Sequence, residues 1–219
     1  MMSRDPTHKV AGREEGLRPA HDGGRSRPRD RIVATARDLF HRHGIRGIGV
    51  EAIAEAAGTN KMTLYRHFAS KDDLIVECLQ RVARDADTFW AELESTWPGD
   101  PLAQLHGWVR GAAECLATDG RACEMANATV ELSEAGHPAR RVIEDFKSAQ
   151  RDRLAKLCRA AGIAKPRLLA DTLSLLFEGA RVSRQSVGPD GPSAKFVAMS
   201  EAVISAFAGA RTHDGRRAD

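Results

Sequence analysis

The chain has 219 residues, 42% of them hydrophobic and only 5% aromatic, with a formal charge of +3. That length sets one or two domains with a buried core, and the scarcity of aromatic and β-branched runs excludes an all-β sandwich or barrel in favour of an all-α fold. No stretch approaches the roughly 18 consecutive apolar residues of a membrane span, and residues 1–22 hold no apolar signal-peptide core, so the expectation is a soluble cytoplasmic protein with no membrane partner.

Residues 1–28 are rich in Arg, Gly, Pro and His and poor in large apolar side chains, which predicts a basic disordered tail. Residues 1–68 carry 13 Lys/Arg against 8 Asp/Glu, and the remainder 20 against 22, so the basic excess is local and suits a polyanion-binding end on a neutral body. Arg25, Arg27 and Arg29 close the tail and form a basic arm that either enters a flanking minor groove or serves solubility. From Asp30, Ile32, Ala36, Leu39 and Phe40 recur at helical spacing until Gly44.

Val50, Ile53, Ala54 and Ala57 repeat the pattern over two turns before Gly58, which suits a left-handed helix stop. Asn60 is a good N-cap for a third helix with Leu64 and Phe68 on its core face. Its other face carries Lys61, Met62, Thr63, Arg66 and His67, beside Tyr65, the only tyrosine. Two short helices joined by a glycine turn form a helix-turn-helix pattern, whose second helix fits the DNA major groove. The donors on its polar face suit phosphate oxygens, and Arg or Lys also read guanine edges. Lys71, in the first turn of the next helix, opposes the helix dipole, a placement that a nearby phosphate would explain.

Ser70 caps a long fourth helix reaching about Trp97, where Pro98-Gly99-Asp100-Pro101 breaks it. Helices follow over residues 102–118 and 123–134, from Pro138 to before Gly162, from near Pro166 to before Gly188, and over 193–208: nine in all. The expected domains are 29–75 for DNA binding and 76–210 for ligand binding and dimerisation, with a disordered tail at 211–219.

Residues 50–74, VEAIAEAAGTNKMTLYRHFASKDDL, resemble the DNA-binding segment of the TetR (TetR/AcrR) family of bacterial transcriptional regulators: an Ile-Ala helix, a Gly turn, Thr-Leu-Tyr-x-His-Phe, then Ser-Lys-x-x-Leu. Residues 30–44 resemble the family's first helix, and the helical remainder has its length and helix count. The resemblance implies a homodimer with two N-terminal heads on double-stranded DNA, at a near-palindromic operator. It places Thr59, Lys61, Thr63, Tyr65, His67 and Lys71 at DNA-contacting positions, with Tyr65, His67 and Lys71 on phosphates; Lys61, Met62, Thr63 and Arg66 are the candidates for reading bases. Three departures limit the carry-over. Ile48 and Gly49 stand where the family has hydroxyl residues, which removes a cap and a phosphate contact. Met62 replaces a frequent glycine, substituting an apolar contact such as one to a thymine methyl. The arginine-rich arm is the third.

The resemblance further implies that the last two helices pair with their copies as a four-helix interface. It also implies an unknown small-molecule effector in a cavity among helices 4 to 8, walled by Phe89, Trp90, Trp108, Met125, Phe146 and Phe177, with Thr129, Glu131, Gln150 and Glu178 as polar anchors. The expected function is a ligand-responsive regulator, a repressor released by its effector, with no cofactor, no metal and no enzymatic activity. Two alternatives stay open: a redox or metal sensor on the same scaffold using Cys115 and Cys123, and a helical enzyme. The enzyme reading has little to draw on. Gly47-Ile48-Gly49-Val50-Glu51-Ala52 fits a loose dinucleotide fingerprint but lacks the preceding strand, and no nucleophile elbow or zinc-protease motif is present.

Overall fold

The computed structural model describes residues 27–118, 124–134 and 136–209, and among these every regular element is helical. The tails expected at 1–28 and 211–219 lie almost entirely outside the described residues, as do Arg25 and Cys123. The order is α1 (Pro28–His43), α2 (Val50–Ala56), α3 (Lys61–His67), α4 (Lys71–Thr96), α5 (Pro101–Thr118), α6 (Glu124–Glu131), α7 (Pro138–Ala160), α8 (Pro166–Val187) and, after a 3-10 turn (Pro192–Lys195), α9 (Phe196–Gly209).

Local chemistry accounts for most boundaries. Proline opens α1, α7 and α8 within their first two residues, where a missing N–H costs nothing. Asn60 Oδ1 accepts from the Thr63 N–H at 2.8 Å, and Ser70 Oγ from the Asp73 N–H at 3.0 Å. Gly44 and Gly58 follow α1 and α2 at φ of 80° and 63°, where a side chain would be strained. As expected from Gly49, α2 starts without a side-chain cap.

Two details differ from the sequence expectation, and a third, the cap of α7, adds to it. Helix α6 stops at Glu131 rather than Glu134, because Leu132 leaves the helix to bury itself against α1 and α4. His137 caps α7, its Nδ1 accepting from the Ala139 N–H at 3.1 Å. Residues 193–195 form the 3-10 turn, burying Ser193, before α9 begins.

Two apolar cores organise the molecule. The first joins Ile32, Phe40, Ile53, Leu64, Phe68, Leu74 and Leu79 to Met125, Ala128, Leu132 and Ile143, so α6 and the start of α7 complete the core of α1–α3. The second joins Leu93 of α4 to Leu105, Trp108, Leu154, Leu169, Leu173, Phe196 and Ile204. Helices α4 and α7 run through both. Gly107 and Gly111 let α5 lie close under α4: a Cβ on Gly107 would stand 2.3 Å from the Trp97 ring, and one on Gly111 2.4 Å from the Phe89 ring.

Candidate nucleic-acid interface

Helix α3 is seven residues long and buries only Leu64 among them. Leu64 and the following Phe68 fix it to the first core, while Ile53 and Ala54 hold α2 from the other side. The turn between them closes with the Thr59 N–H donating to the Ala54 carbonyl at 2.9 Å. This leaves one face outward. Met62 is 68% exposed and Tyr65 42%, and Lys61, Arg66 and His67 are also exposed; Thr59 and Thr63 are half-buried at its edge. A 68% exposed methionine is a surface without an apolar partner in the monomer.

The charges on this face are already arranged. The Lys61 ammonium donates to Glu51 Oε1 on α2 and sits 6.0 Å from the centre of the Tyr65 ring. Hydrogen bonding to Lys61 holds the Glu51 carboxyl below the usual carboxylate range and lifts the Lys61 ammonium in turn. Arg66 reaches back to Met62, with Nη2 3.9 Å from its sulfur, so these two candidates share one patch.

Lys71 is placed differently from the other seven candidates. It is half-buried, its Nζ donating to the Ile45 carbonyl at 2.6 Å and lying 5.8 Å from the Phe40 ring. Burial pushes its ammonium below the ordinary lysine value, against the pull of Asp72 and Glu131. In this conformation Lys71 is a strut between α4 and the α1–α2 turn. Arg29 is likewise engaged: its guanidinium stacks 5.1 Å from the Phe68 ring and pairs with Glu77 at 2.7 Å, which gives this residue a structural task. Glu51 was missed by sequence reasoning. The signal was available as an acid at the second residue of one short helix and a base at the first residue of the next, ten apart across the turn.

The six apolar effector candidates divide between the two cores. Phe89, Trp90, Trp108 and Phe177 belong with the second, Trp108 meeting Phe177 edge-on at 5.9 Å, whereas Met125 is fully buried in the first and Phe146 packs against it. Trp90 Nε1 donates to Gln150 Oε1 at 2.6 Å, and the Thr129 hydroxyl donates to the Met125 carbonyl at 2.8 Å. Glu131 accepts from the Arg46 N–H, and Glu178 pairs with Lys147. A cavity of about 20 Å³ opens at the joint of α1, α4 and α6, beside Arg37, Phe40, Cys78 and Glu124, and of the effector candidates only Glu131 lines it. That is room for one water. Burial raises the thiols of Cys78 and Cys158 to about 12, so neither is a thiolate at neutral pH. Among the described residues no three His, Cys, Asp or Glu side chains gather to hold a metal, and no helix is long and apolar enough to cross a membrane.

Comparison with known proteins agrees with this geometry. Residues 32–78 match the family model described as bacterial regulatory proteins, tetR family. The HTH-type transcriptional regulator AcrR of Shigella flexneri is 30% identical over 93 residues, 42% of this chain and 43% of its own. The regulator TcmR of Streptomyces glaucescens is 35% identical over 85 residues, 38% of this chain and 36% of its own. The chain thus matches less than half the length of either relative. A solved TetR-family transcriptional regulator from Streptomyces coelicolor superposes with a TM-score of 0.76 at 25% identity, covering 82% of this chain and 95% of that one.

Proposed function

The chain belongs to the TetR family of bacterial regulatory proteins, and from that premise we propose that it is a homodimeric repressor that binds a near-palindromic operator and is released by a small-molecule effector. The observation that carries this reading is the outward face of α3, where Lys61, Met62, Tyr65, Arg66 and His67 stand exposed on a helix anchored by Leu64 and Phe68. A helix of that shape fits the major groove, Arg and Lys donate to guanine O6 and N7, and Met62 offers an apolar contact to a thymine methyl. Residues 29–75 form the proposed DNA-binding domain and 76–210 the body.

Dimerisation is supported by an apolar stripe that none of the described residues covers. Leu168, Leu175 and Val182 recur every seven residues on α8, exposed at 53%, 73% and 62%, and Val197 and Met199 add exposed apolar surface on α9. Gly179 sits on the same α8 surface with nothing within 4 Å of where a Cβ would stand, leaving room for a second helix to approach. Two heads joined through α8 and α9 would present recognition helices to successive major-groove faces, about 34–36 Å apart.

Effector control would act as a population shift, the effector lowering operator affinity only by its differential affinity for the two states. Helix α6 is the route by which the body would bias the heads. Its Met125 and Ala128 lie inside the first core, Glu124 binds Arg37 of α1, and Glu131 accepts from the Arg46 N–H in the turn that leads to α2.

The test is a titration of the full chain against DNA from upstream of its own gene, at two salt concentrations with random competitor. Saturable binding of two protomers per site that survives competitor is the expected result; weak, competitor-sensitive binding to every DNA tried, including duplexes enriched from a randomised pool, would refute it. A redox reading has one supporting observation: Cys115 is exposed, with Arg181 Nη2 3.5 Å from its sulfur. Operator binding unchanged by peroxide would remove it.

A further inference from the structure

Glu51 reaches from α2 into the α3 face, bonded to the first residue of that helix. Both side chains of the pair are open to solvent, at 65% for Glu51 and 54% for Lys61. An exposed pair of this kind contributes little to folding, and α2 is already held to α3 through Ile53, Ala54 and Leu64. Glu51 stands in the first turn of α2, where the helix dipole and a backbone hydrogen bond favour an acid, but a carboxylate facing a polyanion is unfavourable, so the pair also bears on binding. While it is closed, Lys61 is directed across the turn toward α2 and beside the Tyr65 ring, and its charge is cancelled locally. To neutralise a phosphate, the ammonium must first leave Glu51.

We propose that Glu51 is a positioning residue for DNA recognition: it holds the Lys61 ammonium away from phosphates, which weakens random duplexes bound through phosphate contacts alone, while the cognate duplex is held by base contacts that leave the pair closed. The inference rests on the reading of this face as the DNA interface. It concerns selectivity, the difference between two affinities, rather than affinity itself. A freed Lys61 would neutralise about one more phosphate on a random duplex, steepening the salt dependence of log K there by about 0.9.

The experiment uses the full chain, with Glu51→Gln, Glu51→Asp, Lys61→Ala and the Glu51→Gln/Lys61→Ala double variant, each checked for an unchanged melting profile. Affinity is read by fluorescence anisotropy on a random-sequence duplex and on a duplex that the unmodified protein enriches from a randomised pool, at several salt concentrations. Glu51→Gln should bind the random duplex about three-fold or more tighter at low salt, with the steeper slope, and gain less on the enriched duplex. Glu51→Asp should restore the original behaviour, and the gain should vanish when Lys61 is absent. An equal gain with and without Lys61 would reduce Glu51 to a bulk charge and overturn the proposal. Loss of affinity on the enriched duplex alone would make Glu51 a direct reader, accepting from cytosine N4, and overturn it as well. Should the unmodified protein enrich no duplex, the function proposed above fails first, a result distinct from any behaviour of the variants.

Discussion

Arg37 of α1 holds Glu124, the first residue of α6, with its Nη2 3.0 Å from the carboxylate, and reaches Asp85 of α4 with Nη1 at 2.9 Å. One guanidinium therefore joins three helices. Burial works against its charge, and the two carboxylates outweigh that cost, holding it above the ordinary arginine value. Arg37→Ala should lower stability by about 1–2 kcal/mol, since it leaves two acids facing each other without a cation. Operator affinity should fall several-fold with no change in salt slope, because the lost charge neutralises carboxylates and not phosphates; parallel melting curves and salt titrations check both.

On the recognition face the two kinds of contact separate by substitution. Arg66→Ala should relax preference at one base pair by about 1–3 kcal/mol, whereas Tyr65→Phe should weaken specific and random duplexes alike. Equal losses on both DNAs for Arg66→Ala would show that it holds phosphate instead.

Glu77 accepts from Arg29 at 2.7 Å and Arg84 at 2.8 Å, and Arg81 lies 3.6 Å away. The bond from Arg29 holds its carboxyl below the usual range, with burial opposing and Arg84 adding to the effect. Because the folded value is the lower one, this stability is present above the ordinary glutamate value of about 4.3 and is lost as pH falls through the folded value. Glu77→Gln should cost about 1 kcal/mol at pH 7, and the gap to the unmodified protein should close in denaturant titrations as pH falls through the folded value.

Much of this architecture was readable in advance because its signals are local. Asn60, Ser70, Gly44 and Gly58 act within one turn of the backbone they cap or reverse, and Leu64 and Phe68 announce a core face by spacing alone. What escaped depends on residues distant in sequence. The pairing of Arg37 with Glu124 spans 87 positions, and nothing in the Lys71 neighbourhood names Ile45 as its acceptor. The effector candidates show the same limit: large apolar side chains selected Met125 and Phe177 together, but only packing shows that they belong to different cores.

The exposed stripe on α8 gives a direct assay of assembly. Leu175→Asp should leave the helical circular dichroism spectrum intact while sedimentation shifts from the proposed dimer to monomer, since this side chain is 73% exposed. Operator affinity should fall steeply with it, because each head would then bind alone.

Gly107→Ala tests the close approach of α4 to α5. Its Cβ would meet Trp97 at 2.3 Å and Leu93 at 2.9 Å, so the two helices must part or the indole must turn. A loss of about 1–3 kcal/mol in chemical denaturation is expected.

The sharing of the first core between α1–α4 and Met125, Ala128, Leu132 and Ile143 bears on any attempt to exchange recognition specificity with a relative. A transplant cut after the first turns of α4 would carry the reading surface but expose Ile75, Cys78 and Leu79 to a foreign α6 of different shape. Chimeras with this protein should therefore fold, and respond to the proposed effector, only when the α6 residues travel with the head or are rebuilt to fit it.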